Sequence, residues 1–119
     1  MRKHIAILLL VMLATLAFTG CAPNVPKHQR EAYENCLEYI KNSSFMRKDY
    51  IDTSIVRIET LKEEQKESVW IEVNGDDSYF SQEQPEHWVF TIGDTSGHDF
   101  AMLVCNSETS SVIGYIPIA

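Results

Sequence analysis

The chain has no lysine or arginine after Lys66. From there to Ala119 it carries nine acids and no base: Glu67, Glu72, Asp76, Asp77, Glu83, Glu86, Asp94, Asp99 and Glu108. An acidic half of this kind repels phosphate and argues against nucleic acid as a partner. Catalytic signatures are missing as well. No Gly-x-Ser-x-Gly elbow occurs, Ser96 sits in an ordinary loop, and the His98-Asp99 pair has no activated nucleophile to orient. There is no glycine-rich phosphate loop. His87 and His98, with Asp94 or Glu86, do not have a metal-ligand spacing. Asn74, Asp76 and Asp77 lack the residue order of a calcium loop and read as a turn. The expectation is a protein that is not an enzyme and needs no cofactor or metal.

A long apolar run is absent too. Met1-Arg2-Lys3-His4 is a short cationic start, and Ile5 to Phe18 follows with Thr15 its only polar side chain. Those fourteen residues fall short of the roughly 20 that cross a bilayer, and no basic cluster stops them. A cationic start, a short apolar run and small residues behind it make a secretory signal peptide. Phe18-Thr19-Gly20-Cys21 then resembles the lipobox of bacterial lipoproteins, with Phe18 where that family usually has leucine. The resemblance covers residues 1–21. It implies a diacylglycerol on the Cys21 thiol and a cut just before it, giving a signal at residues 1–20 and a lipidated cysteine with its leash at 21–26. The alternative is an ordinary secretory cut with Cys21 free. Lipid chains hold a protein to a membrane at about 0.8 kcal/mol per buried CH₂, and two or more hold it stably. Ala22, where the family's inner-membrane retention signal would place Asp, implies an outer-membrane anchor facing the periplasm in a Gram-negative host. Otherwise the anchor lies on the outer face of the cell membrane. Ala22 to Pro26 is an extended leash, because proline fixes its own φ and disfavours helix before it.

Removing residues 1–20 leaves 99 residues, which fit a single domain at 27–119. Arg2 and Lys3 leave with the signal, so eight bases face 17 acids, a net charge of −9. If Cys21 carries lipid, Cys36 and Cys105 remain and can pair in an oxidising compartment. The bridge would close a loop of about 70 residues and stabilise by roughly 4 kcal/mol. The other reading is two separate buried thiols.

Pro26 to Asn42 reads as one helix, with Tyr33, Cys36, Leu37 and Ile40 on an apolar stripe and Asn42-Ser43-Ser44 as its stop. A polar, aromatic-bearing link follows, Phe45 to Asp52. Strands are expected at 54–59, 69–73, 87–92, 100–105 and 112–116 from β-branched content and turn signals between them. The charged run Lys62 to Glu67 reads as a solvated hairpin tip between the first two. The fold expected is α+β, an N-terminal helix packed on a four- to five-stranded antiparallel meander sheet. Ala101, Leu103 and Cys105 should share the helix-facing side. The segment from Trp88 to Ile118 is similar in layout to the terminal hairpins of PepSY-like domains and of small immunity proteins with a cystatin-like or nuclear-transport-factor-like fold. Their Asp-x-x-Thr-Gly turn reads Asn106-Ser107-Glu108-Thr109-Ser110 here, with both the Asp and the Gly replaced. That resemblance bears on architecture.

Two functions fit a small, tethered, acidic domain. One is a binding or inhibitor module of immunity type for a basic protein partner. The other is a structural or accessory envelope lipoprotein whose acidity serves solubility. For the first, the residues that can project are Asp76, Asp77, Glu83, Glu86, Asp94 and Asp99, with Trp88 as an aromatic anchor. Strand alternation makes Trp88 a core candidate too.

Overall fold

The computed structural model describes residues 24–72, 79–81 and 84–118. The proposed lipidation residue Cys21, the turn with Asp76 and Asp77, and Glu83 lie outside the described residues. Pro26 opens a 3-10 turn, Lys27–Gln29, that runs straight into α1, Arg30–Asn42. Ala32, Tyr33, Cys36 and Ile40 are its buried stripe. At the C-terminus the Ser43 hydroxyl donates to the Ile40 carbonyl at 2.6 Å. The Lys48 ammonium donates to the carbonyls of Lys41 and Ser43 at 2.9 and 2.8 Å. Carbonyls left without helical partners are thereby satisfied, by a cation placed at the negative end of the helix.

Five strands follow: β1 Val56–Thr60, β2 Trp70–Ile71, β3 His87–Gly93, β4 Phe100–Asn106 and β5 Val112–Ile116. All pairings are antiparallel, in the order β1-β3-β4-β5-β2. The chain is therefore a helix followed by a five-stranded antiparallel sheet, but the sheet is not a simple meander. β3, β4 and β5 are consecutive neighbours, whereas β2 lies on the far edge beside β5 instead of beside β1.

The charged run explains the difference. It is not a hairpin tip but part of a 3-10 helix, Glu63–Ser68, inside a crossover that joins the two edges. Leu61 and Val69 flank it, and with Tyr79 and Phe80 they pack on Val89, Val104 and Ile113. A hairpin would leave that face of the sheet in water. Covering it gains on the order of 1.5–3 kcal/mol for each buried aliphatic side chain, whereas a two-stranded hairpin alone is marginal.

Both faces of the central strands are therefore buried, and β3 is buried at every position except Trp88. The helix face gathers Phe90, Ile92, Ala101, Leu103 and Cys105 against α1, so the three β4 residues do share that side. A bulge between Val104 and Cys105 leaves Ile113 as the extra residue in β5. Gly114 beside it has a packing reason, since a Cβ there would stand 2.1 Å from the Trp70 carbonyl oxygen. The free edge of β1 presents Arg57 and Glu59, paired at 3.3 Å, and such charges discourage strand addition.

Candidate functional site: an apolar groove at one end of the sheet

The two ends of the sheet differ in what they offer. The described chain begins at one of them. Val25 is buried in the helix-side core, and His28 meets Trp88 edge-on at 5.9 Å. Trp88 is opposite Cys105 and Thr60, at the start of β3. It is half-buried and touches Phe90 as well, which makes it a core-margin residue under the N-terminal turn.

The other end lies five residues further along β3, at Gly93, about 17 Å away at strand rise. There the α1–β1 link passes beside the ends of β4 and β5. A groove of about 470 Å³ opens between them, walled by Phe45, Ile51, Phe100, Met102, Ile116 and Ile118. Met46 stands at its mouth, 92% exposed.

The link is held in an unusual shape. Arg47 has φ +63°, the left-handed region that an arginine rarely occupies. Two contacts hold it there. Its guanidinium grips the Asp99 carboxylate as a fork, at 2.6 and 3.2 Å, and lies 4.3 Å over the Tyr50 ring. The Arg47 hydrogen bonds keep the Asp99 carboxyl below the usual carboxylate range. Strained residues held by their surroundings cluster at functional sites, and this one carries Met46 to the rim.

The groove lining holds no carboxylate, but acids lie beside it in the chain: Asp49 and Asp52 in the same link, and Asp94 directly after β3. Asp52 accepts from the Ser54 hydroxyl and backbone N–H, which lowers its carboxyl, while the like charge of Asp94 acts the other way. The Ser96 N–H lowers Asp94 in the same way. Asp49 is exposed one turn away. The nearby cations are both engaged, Arg47 by Asp99 and Lys48 by the helix carbonyls.

The acids expected from the sequence are thus not gathered in one place. Asp94 and Asp99 are at the groove end, and Asp99 is already paired. Glu86 is at the opposite end of the sheet, accepting from Thr60 at 2.8 Å. The groove itself comes from the Phe45–Asp52 link, which sequence reasoning passed over. Its signal was the apolar Phe45, Met46 and Ile51 within a connection otherwise made of charged residues and Tyr50.

The two cysteines expected to pair are brought together. Their sulfurs are 3.4 Å apart, and both residues are wholly buried. They are free thiols in this structure. The hydrogen bond they share, followed by burial, pushes the Cys36 thiol far up, so that sulfur is not disposed to react as a thiolate.

His87 is buried and spoken for. The Tyr79 hydroxyl is 3.2 Å from its Nε2, and Asn106 donates to the same hydroxyl at 3.3 Å. The Tyr79 hydroxyl accepts from Asn106 and shares a hydrogen bond with Nε2 whose direction follows the His87 tautomer. Burial, then the Lys66 charge, lowers the His87 pKa. His98 is exposed at the groove end. Among the described residues no group of three or more His, Cys, Asp or Glu could hold a metal ion, and no helix is long and apolar enough to cross a membrane. Compared with protein families, curated proteins and solved structures, the chain matches none of them.

Proposed function

We propose that this protein is a lipid-anchored component of the cell envelope that works without catalysis, as a small binding or inhibitor module for a basic protein. The observation that carries the reading is the apolar groove at the end of the sheet opposite the chain's entry, the end whose link and strand terminus also carry Asp49, Asp52 and Asp94. An anchor at Cys21 would lie four residues before Val25, a leash of about 13 Å. It would hold the Trp88 end toward the bilayer and turn the groove outward. An apolar groove fits an apolar side chain, and the charge of Asp49, Asp52 and Asp94 at the same end of the sheet favours a partner of opposite charge.

The test is site-directed photo-crosslinking in cells from Met46, with Glu64 on the crossover as the comparison site. The reading expects capture of a basic protein from Met46 and not from Glu64. Capture should fall as salt rises from about 0.05 M to about 0.5 M, as screening predicts for exposed charges. In parallel, Cys21→Ser should release the protein from membranes or leave it unprocessed. Equal capture from both sites, with no dependence on salt, would make it an accessory envelope lipoprotein whose acidity serves solubility.

A further inference from the structure

A second cleft adjoins the groove and shares two of its walls. It has a volume of about 740 Å³ and lies between α1 and the β5–β2 edge. Phe45 and Tyr115 line both cavities, and their rings meet edge-on at 5.1 Å. Tyr39 tilts against Phe45 at 6.0 Å. The three rings form a ridge. On one side of it the lining is apolar. On the other it is polar, with the carboxylates of Glu38 and Glu72 and the amides of Asn35 and Asn42.

Neither acid is ion-paired among the described residues, whose ion pairs are Arg47–Asp99, Arg57–Glu59 and Lys66–Glu63. Glu38 accepts from Asn42 at 3.1 Å. Glu72 is held by its backbone, whose N–H donates to the Ile113 carbonyl at 2.9 Å. Burial and the neighbouring Glu72 carboxylate raise the Tyr39 hydroxyl, so it remains a neutral donor beside the charge. Carboxylates beside aromatic faces suit a guanidinium or ammonium group, through ion pairing and cation–π attraction together.

We infer that the two cavities form one docking surface for an extended segment of a partner protein, with a cationic side chain in the Glu38–Glu72 cleft and an apolar one in the groove across the Phe45 ridge. This rests on the binding-module reading and adds to it the chemistry of the partner segment. The charge of the cleft and the apolar lining of the groove select that occupant. A wholly apolar ligand would gain nothing from the two exposed carboxylates, and a wholly basic one would leave the groove empty.

The experiment is an NMR titration of the full chain in detergent, to millimolar concentrations of an acetylated pentapeptide amide containing arginine and leucine separated by serine. Two control peptides replace the arginine by glutamate or the leucine by serine. Amide shifts should move together in the cleft (Asn35, Glu72, Ser111) and in the groove (Phe100, Met102, Ile118). The glutamate peptide should lose the cleft shifts. The double variant Glu38→Gln, Glu72→Gln keeps hydrogen-bonding groups in place and should lower affinity for the arginine peptide about 2- to 10-fold, the range for exposed ion pairs. It should leave the glutamate peptide no weaker. Groove shifts that follow leucine, with a cleft indifferent to arginine, would overturn this inference and leave the binding-module reading standing. No shift at either place with any peptide would overturn both.

Discussion

The pairing of Cys36 with Cys105 has the largest energetic consequence. Both residues are fully buried between α1 and β4, with sulfurs 3.4 Å apart against roughly 2.05 Å in a disulfide. A bond there would require a small approach and no change of topology. It would join positions 69 residues apart, and the chain-entropy relation gives such a loop a stabilisation of about 4 kcal/mol. For a domain of this size 1 kcal/mol corresponds to about 4–8 °C in Tm. Reduction should therefore lower Tm by some 15 °C or more. Two separate buried thiols would show no dependence on reductant, and Cys36→Ala would cost only the packing of one small side chain. The assay is a thermal melt of protein purified from the oxidising side of the membrane, with and without a phosphine reductant. Thiol labelling of the denatured, unreduced chain accompanies it. Two labelled thiols at Cys36 and Cys105, with identical melts, would refute the bridge. Burial adds a kinetic expectation: native reduced protein should resist alkylation at both positions until it unfolds.

Three further outcomes follow from local geometry. Ser110 takes φ +60° in the β4–β5 turn, where an L-residue costs about 1–2 kcal/mol, so Ser110→Gly should raise stability by up to about 1 kcal/mol after glycine's entropy cost; a lower Tm would refute it. Gly114→Ala would drive a Cβ into the Trp70 carbonyl and should cost about 1–3 kcal/mol, read as a lower urea midpoint and faster amide exchange at Glu72; unchanged exchange there would refute the close approach. His87 has a folded pKa below its ordinary 6.5, so the unfolded chain takes up the proton first. Stability is then full above 6.5 and declines as pH falls below it toward the folded value, by no more than about 1.4 kcal/mol per pH unit. Urea midpoints between pH 7.5 and 5 should show this decline, and His87→Gln should flatten it; equal slopes in both proteins would refute the assignment.

The helix and the strands were legible because their signals are local. Tyr33, Cys36, Leu37 and Ile40 mark a helical stripe, and β-branched runs mark the strands. Strand order was not legible, because nothing within Lys62–Glu67 distinguishes a hairpin tip from a crossover. The arbiter was the second face of β3–β5: Val89, Val104 and Ile113 needed a cover, and among the described residues of the crossover Leu61, Val69, Tyr79 and Phe80 supply it. The turn at Asn106–Ser110 worked the other way. Its departures from the Asp-x-x-Thr-Gly pattern keep the turn's mechanics. The Asn106 side chain still accepts from the N–H groups of Glu108 and Thr109, Ser110 takes the left-handed position, and Asn35 of α1 donates to the Ser110 carbonyl. The groove was hidden because it is assembled from three separate segments, each ordinary by itself.

Asp99 shows how far charge counted along a chain differs from charge placed in a fold. By sequence it is one more free acid for a basic partner. In the structure its carboxylate is taken by Arg47, and that grip helps hold the left-handed turn that shapes the groove mouth. Its substitution should therefore act through shape. Asp99→Asn should shift the Arg47 Cα resonance away from its left-handed value, remove the Tyr50 ring-current effect on the guanidinium, and weaken the leucine-dependent shifts at Ile51 and Phe100. Asp49→Asn removes the same charge from the same end, from a residue outside that grip, and should leave all three unchanged. Acid should mimic Asp99→Asn. The Asp99 carboxyl is held below its ordinary value of 3.8, so the grip is complete above that value and is lost as pH falls through the lower, folded one. If Asp99→Asn and Asp49→Asn behave alike, with Arg47 still left-handed in both, Asp99 is a surface charge and the turn is held by something else.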